Sequence, residues 1–211
     1  PCTYGVDGAA VTVVLYGDSH AAHWSPALIE IAEQRGFELV VLTKGGCPTA
    51  AVSIPTATLG RTCPQWRDSV VEFLQVERPD VVIVSAWGGY PNDDDEWASG
   101  LDETLARVAA TTNNLIVLGD NPPADVEPAG CLSANLHSVQ NCSADRDEVV
   151  RTSRNEVERD AVRRHGGRYI DTADWLCGPE RCPLIIGDVL LYRDATHLTT
   201  AAAEWFTPLL A

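Results

Sequence analysis

Five short strand-like runs punctuate this chain, and most of them are apolar at consecutive positions rather than alternate ones. They are Val11–Tyr16 (VTVVLY), Glu38–Leu42 (ELVVL), Asp80–Ser85 (DVVIVS), Asn114–Leu118 (NLIVL) and the shorter Arg168–Asp171 (RYID). A strand with one wet face alternates apolar and polar residues, whereas a run without alternation is buried on both faces. Between the runs the period changes to that of a helix. Trp24–Gln34 places Ala27, Leu28, Ile31 and Ala32 on one face, Pro64–Gln75 places Trp66, Val70, Phe73 and Leu74, and Glu96–Ala110 places Leu101, Leu105 and Val108. The highly charged stretch Ala144–His165, with Val149, Val150, Val157 and Val162 in phase, predicts one long surface helix, and Thr199–Leu210 predicts a closing helix. Strands alternating with amphipathic helices imply an α/β fold with a five-stranded parallel sheet covered on both faces. Asn121–Ser143 reads as a long irregular loop, and neither a repeat nor a linker interrupts residues 1–211, so a single domain is expected.

In such sheets ligands collect at the C-terminal ends of the strands, so the residues after the first strand carry weight. They are Gly17-Asp18-Ser19-His20. Gly17 permits a tight turn. Ser19 then opens a helix, where free N–H groups and the macrodipole favour a developing negative charge. Read alone, the tripeptide Gly17-Asp18-Ser19 is better explained by Asp18 or Ser19 capping that helix, and it gains weight from its place after the first strand and from a counterpart near the C-terminus. The counterpart is Asp194-Ala195-Thr196-His197 near the other end. A carboxylate and an imidazole three residues apart meet within one turn, so Asp194 can hold His197 Nδ1 and leave Nε2 to deprotonate Ser19. Taken alone, His197 is an ordinary loop histidine. Together the two motifs supply a nucleophile, a base and a group that orients the base.

Composition narrows the partners. Fifteen basic residues stand against thirty acidic ones, a formal charge of −15. Phosphate binding needs a basic face, so nucleic acid and anionic lipid are poor partners. No apolar run approaches the roughly 20 residues of a membrane-spanning helix. The chain opens on Pro1-Cys2 without an initiator Met, and is read as a domain excised from a longer protein. Six of its seven cysteines fall into local pairs, Cys47 with Cys63, Cys131 with Cys142 and Cys177 with Cys182, each bracketing a loop-like segment. Disulfides in an oxidising compartment account for that pattern better than zinc, since no C-x-x-C occurs. Cys2 is left over. The acidic run Asn92–Glu96 lacks the spacing of a calcium loop and suits a helix N-terminus, so no metal is expected.

The blocks GDSHAAHW, KGGCP and DATHLT resemble the SGNH (GDSL-type) hydrolase superfamily, and more narrowly the SGNH domain joined to membrane acyltransferase-3 proteins that O-acylate cell-surface glycans. The resemblance covers nearly the whole chain. It implies a three-layer α/β/α sandwich of SGNH/flavodoxin-like form, with Ser19 as nucleophile, His197 as base and Asp194 as its partner. It also implies an oxyanion hole from the Ser19 N–H and a glycine of the Lys44-Gly45-Gly46-Cys47 turn, Gly46 first and Gly45 as the fallback. The family's third donor, an asparagine in a GxND block, has no counterpart in Trp87-Gly88-Gly89-Tyr90. Asn92 is out of register, and aromatic replacement there is usual in the acyltransferase-linked branch. Losing one such donor costs a factor of about 10² to 10³.

His20, His23, Lys44, Trp87 and Tyr90 are pocket candidates. Trp24 and Trp97 join Trp87 and Tyr90 as a rim on which a sugar stacks, with the core as the competing reading for the aromatics, satisfied surface or edge positions for the two histidines and simple exposure for Lys44. The expected function is transfer of an acyl group, acetyl above all, to a cell-envelope glycan, without a cofactor. The acyl donor comes from an N-terminal acyltransferase-3 membrane domain or an acyl ester, the site is extracytoplasmic, and esterase activity is a side reaction. The alternatives are a secreted carbohydrate esterase or deacetylase, and a catalytically silent glycan-binding module.

Overall fold

The computed structural model describes residues 1–211. Its central sheet contains β1 (Cys2–Gly5), β2 (Thr12–Gly17), β3 (Glu38–Thr43), β4 (Val81–Ser85), β5 (Asn114–Leu118) and β6 (Arg168–Ile170), in the spatial order β1-β3-β2-β4-β5-β6. The last five are the expected parallel strands. β1 is additional. It pairs antiparallel with β3 through Cys2–Val41 to Gly5–Glu38, and all four of its residues are exposed. A short edge strand with no buried face carries no hydrophobic pattern by which sequence can announce it.

The two faces of β2 separate the two halves of the core. Val13 and Leu15 pack with Leu28 and Ile31 of α2 (Ser25–Arg35), and with Ala202 and Phe206 near the C-terminus. Val14 and Tyr16 pack on the opposite side with Val70 and Leu74 of α3 (Ala57–Glu77), Leu101 and Leu105 of α4 (Asp94–Ala109) and Val162 of α7 (Thr152–Arg164). The result is the three-layer α/β/α sandwich. Each fully buried Leu or Val contributes about 1.5–3 kcal/mol.

Several helices depart from the sequence reading. α3 begins seven residues before Pro64, capped by the Thr56 hydroxyl on Leu59 N–H. Pro64 withholds one helical hydrogen bond, and the neighbouring Cys63–Cys47 disulfide ties that turn to the loop after β3. The stretch Ala144–His165 is not one helix. It breaks at Val150 and Arg151 between α6 (Arg146–Val149) and α7. Nor is α7 a plain surface helix, because Arg154, Asn155 and Glu158 are buried. The polar groups that suggested solvation are bonded internally: Arg154 donates to Asp94 and to the Asn92 carbonyl, and Glu158 accepts from Trp97. The loop over Asn121–Ser143 contains α5 (Pro128–Ala134) and a short 3₁₀ turn, Val139–Cys142, joined by the Cys131–Cys142 disulfide. Cys177–Cys182 is also bonded, and Cys2 is free and exposed. The acidic run forms the N-terminus of α4, capped by Asp93, with Asp94, Asp95 and Glu96 in its first turn. No helix is long and apolar enough to cross a membrane.

Candidate active site

The site is built where β2, β3 and β4 end at one level, with Gly17 opposite both Thr43 and Ser85. Gly17 is required there, because a Cβ would lie 1.8 Å from the Ser85 carbonyl oxygen. Asp18 follows as the cap of α1 (Ser19–Ala22) and accepts the His20 N–H at 2.8 Å. Its second oxygen accepts the Trp87 N–H and the Tyr90 hydroxyl, both at 3.0 Å. Burial pushes the Asp18 carboxyl above its ordinary range, against the pull of His20 and these donors. Asp18 thus joins the turn that presents Ser19 to the loop after β4.

His197 reaches Ser19 from 178 positions away, with Nε2 at 2.9 Å from Oγ. Its Nδ1 lies 3.0 Å from each oxygen of Asp194. Asp194 Oδ1 also accepts the backbone N–H of Thr196 at 2.9 Å and of His197 at 2.8 Å. Burial raises the Asp194 carboxyl, but these amide donors and the imidazole outweigh it and hold its pKa at about 2. With the carboxylate ionised, Nδ1 carries the proton and Nε2 is left to accept from Ser19. The segment after β5 braces this turn. Asn121 Nδ2 donates to the Thr196 carbonyl at 3.0 Å, Ala124 N–H to Ala195, and the Tyr192 hydroxyl to Pro122 at 2.7 Å. Ser19, His197 and Asp194 form one hydrogen-bonded line, a geometry able to serve as nucleophile, base and orienting carboxylate in acyl transfer.

The turn Lys44–Cys47 follows β3, with the Lys44 N–H donating to the Gly17 carbonyl at 3.0 Å. Gly46 sits at φ +72°, in the left-handed region that favours glycine, and Cys47 is bonded to Cys63. The N–H groups of Gly45 and Gly46 make no hydrogen bond within the protein, and Ser19, first in its helix, has no intrahelical acceptor. The loop after β4 differs. Its Trp87 N–H is held by Asp18 and its Gly88 N–H by Asp120, while Asn92 Nδ2 turns away to the Ser53 carbonyl.

The remaining candidates divide. His20 and His23 are both buried rather than at the surface, and with His197 they form a cluster of rings 4.6–6.3 Å apart. His23 has no partner on either nitrogen, and burial, helped by the two neighbouring imidazoles, drives it firmly to the neutral form. It lines a cleft of about 190 Å³ with Ser19, Pro26, Arg193, Leu198 and Thr200. Trp87 and Tyr90 are half-buried with their rings 5.2 Å apart, and neither lines that cleft. Lys44 reaches back to the Thr62 carbonyl at 3.1 Å. Trp24 and Trp97 are core residues with no exposed surface. Sequence reasoning missed Asp120, which bonds His20, and Arg193 in the cleft. Asp120 had a signal, since a Gly-Asp pair stands at the C-terminal end of β5 (Gly119-Asp120) as one does at that of β2 (Gly17-Asp18).

The fold and the site together describe an SGNH/GDSL-type domain. Its sandwich superposes on the periplasmic domain of the lipopolysaccharide acetyltransferase of Salmonella ser. Paratyphi A with a TM-score of 0.79 and 16% identity, covering 96% of this chain and 83% of that one. It superposes on the Geobacillus stearothermophilus acetylxylan esterase with a TM-score of 0.56 and 12% identity, covering 96% and 93%. For a GDSL-like lipase of Bacteroides thetaiotaomicron the values are 0.57 and 12%, covering 94% of this chain and 85% of that one. At these identities the likeness is one of fold. No curated protein matches the chain in sequence. A family model described as the SGNH domain fused to AT3 domains matches residues 1–211, and the chain belongs to that family.

Proposed function

We propose that this domain transfers an acyl group, acetyl in the first instance, to a hydroxyl of a cell-envelope glycan, and hydrolyses acetyl esters when no acceptor is present. The observation that carries this reading is the continuous line Ser19 Oγ–His197 Nε2, His197 Nδ1–Asp194 in a domain whose family is fused to AT3 domains. Ser19 Oγ bonds to the acyl carbon while its proton passes to His197 Nε2. The donor's leaving oxygen then takes that proton as its bond to the acyl carbon breaks. In the second half the acceptor hydroxyl gives its proton to His197, its oxygen bonds to the acyl carbon, and Ser19 departs and is reprotonated. The Ser19 and Gly46 N–H groups, with Gly45 as the alternative, receive the oxyanion in both halves. In the full-length protein an AT3 membrane domain would supply the acyl group on the extracytoplasmic side, and three disulfides suit that compartment.

The test is incubation of the domain with an activated acetyl ester, with and without envelope sugars, followed by mass spectrometry. Acetyl-Ser19 that passes acetyl to a sugar supports transfer. Acetate release indifferent to sugars supports a secreted esterase instead. Ser19→Ala should lose turnover while melting at the wild-type temperature, and unchanged turnover would remove Ser19 from the scheme.

A further inference from the structure

Beside the nucleophile stands a second imidazole–carboxylate pair that takes no part in the scheme above. His20 Nδ1 lies 2.6 Å from Asp120 Oδ1, and the two side chains are only 3% and 6% exposed. A contact this short is that of a charge-assisted hydrogen bond. The other Asp120 oxygen accepts the Gly88 N–H at 2.9 Å and faces the Arg151 guanidinium at 3.6 Å. The His20 ring centre stands 4.6 Å from that of His197, the ring that holds Ser19, and 6.0 Å from Trp87.

The charges around His20 can be counted. Asp18 faces it from the β2 turn, Asp120 from the end of β5 and Arg151 from the start of α7, while His23 and His197 are its ring neighbours. His23 is neutral. With a neutral His20, two buried carboxylates would therefore face one partly exposed guanidinium, around a ring that is next to Ser19 in the chain and beside the His197 ring that holds its hydroxyl. That field would oppose the transition state, and the loop after β4 has no free N–H at Trp87 or Gly88 to offset it.

We propose that His20 works as an imidazolium that cancels the Asp18 and Asp120 charges beside the acyl oxyanion, and that Asp120 is the residue that keeps it protonated. Burial by itself would strip the ring of its proton. Asp120, by charge and by hydrogen bond, outweighs burial with help from Asp18, so His20 stays protonated above the usual histidine range. The same charge repels His197 as that ring takes up the serine proton, and Asp194 on its Nδ1 offsets the repulsion. His20 and Asp120 are thus positioning residues for charge, distinct from the nucleophile and base. The inference rests on the acyl-transfer reading of Ser19.

The experiment combines ¹⁵N NMR of the histidine rings with kcat and KM profiles against pH for an activated acetyl ester. In the wild type His20 should be doubly protonated at neutral pH, and kcat should fall on the alkaline side as that ring deprotonates. His20→Gln should lower kcat at neutral pH by about 10- to 100-fold, less than the loss of a direct oxyanion donor. It should leave KM little changed and abolish that alkaline limb. Asp120→Asn should move the limb to lower pH. A singly protonated His20 ring at neutral pH overturns the proposal, as does a His20→Gln enzyme with wild-type kcat and the same limb. Should His20→Gln fail to fold, the wild-type ring spectrum and Asp120→Asn decide. Turnover unaffected by Ser19→Ala would instead defeat the acyl-transfer reading, and the ring spectrum would still report the state of His20.

Discussion

Glu158 should make this protein less stable as pH rises, and Glu158→Gln should remove that loss. The side chain is on the inner face of α7, where Oε1 accepts the Trp97 indole N–H at 3.0 Å and the Arg154 guanidinium stacks on the same indole at 4.5 Å. Burial, reinforced by the Asp120 charge, raises its pKa from 4.5 to about 8. The native state therefore holds a proton that the unfolded chain releases near pH 4.5. Between those values the folded form binds more protons, so stability falls as pH rises and levels off above about 8. At about 1.4 kcal/mol for each pH unit the ceiling is about 5 kcal/mol. Relaxation around the buried charge lowers the expected loss to about 2–4 kcal/mol. Glutamine keeps the oxygen that accepts from Trp97 and never ionises. Urea unfolding with disulfides intact, at pH 4.5 and at pH 8.5, should show near-equal stability at the first. At the second the variant should be more stable by about 2–4 kcal/mol. An equal difference at both pH values, or a variant weaker at pH 8.5, would refute the buried, protonated Glu158.

Two further outcomes follow from the site. Asp194→Asn leaves His197 without its ionised partner and should cut kcat for acetyl esters by about 10² to 10⁴, measured beside the melting temperature, which should hardly change because the carboxylate is half-exposed. Gly17→Ala forces a Cβ to within 1.8 Å of the Ser85 oxygen and must spread β2 from β4, so thermal unfolding should reveal a loss of several kcal/mol or no folded protein at all.

The strands and the triad motifs were legible for physical reasons. VTVVLY, DVVIVS and NLIVL are apolar at successive positions because both faces of their strands are covered, and that pattern is local. GDSH and DATH are legible because the cap of α1 and the Asp194 turn are closed by residues two or three apart. The polar lining of the site was not. Arg154 and Glu158 look like a solvated helix face until Asp94 and Trp97, about 60 residues earlier, are brought against them. Trp24 and Trp97 looked as apt for a sugar rim as for the core, since a side chain's size does not reveal which layer it enters.

A parallel sheet, the turn that exposes Ser19 and the turn that orients His197 can be read from the chain alone, because each depends on residues near in sequence. Long-range packing sets the rest: His197 meets Ser19, Asp18 and Asp120 occupy N–H groups of the loop after β4, and the His20 ring bonds to Asp120. Those contacts join residues 69, 32, 100 and 178 positions apart. The first three exist because parallel strands bring their C-terminal ends together at one edge of the sheet, whatever their separation in the chain, and the fourth because Asn121 and Ala124, just after β5, hold the His197 turn over that edge.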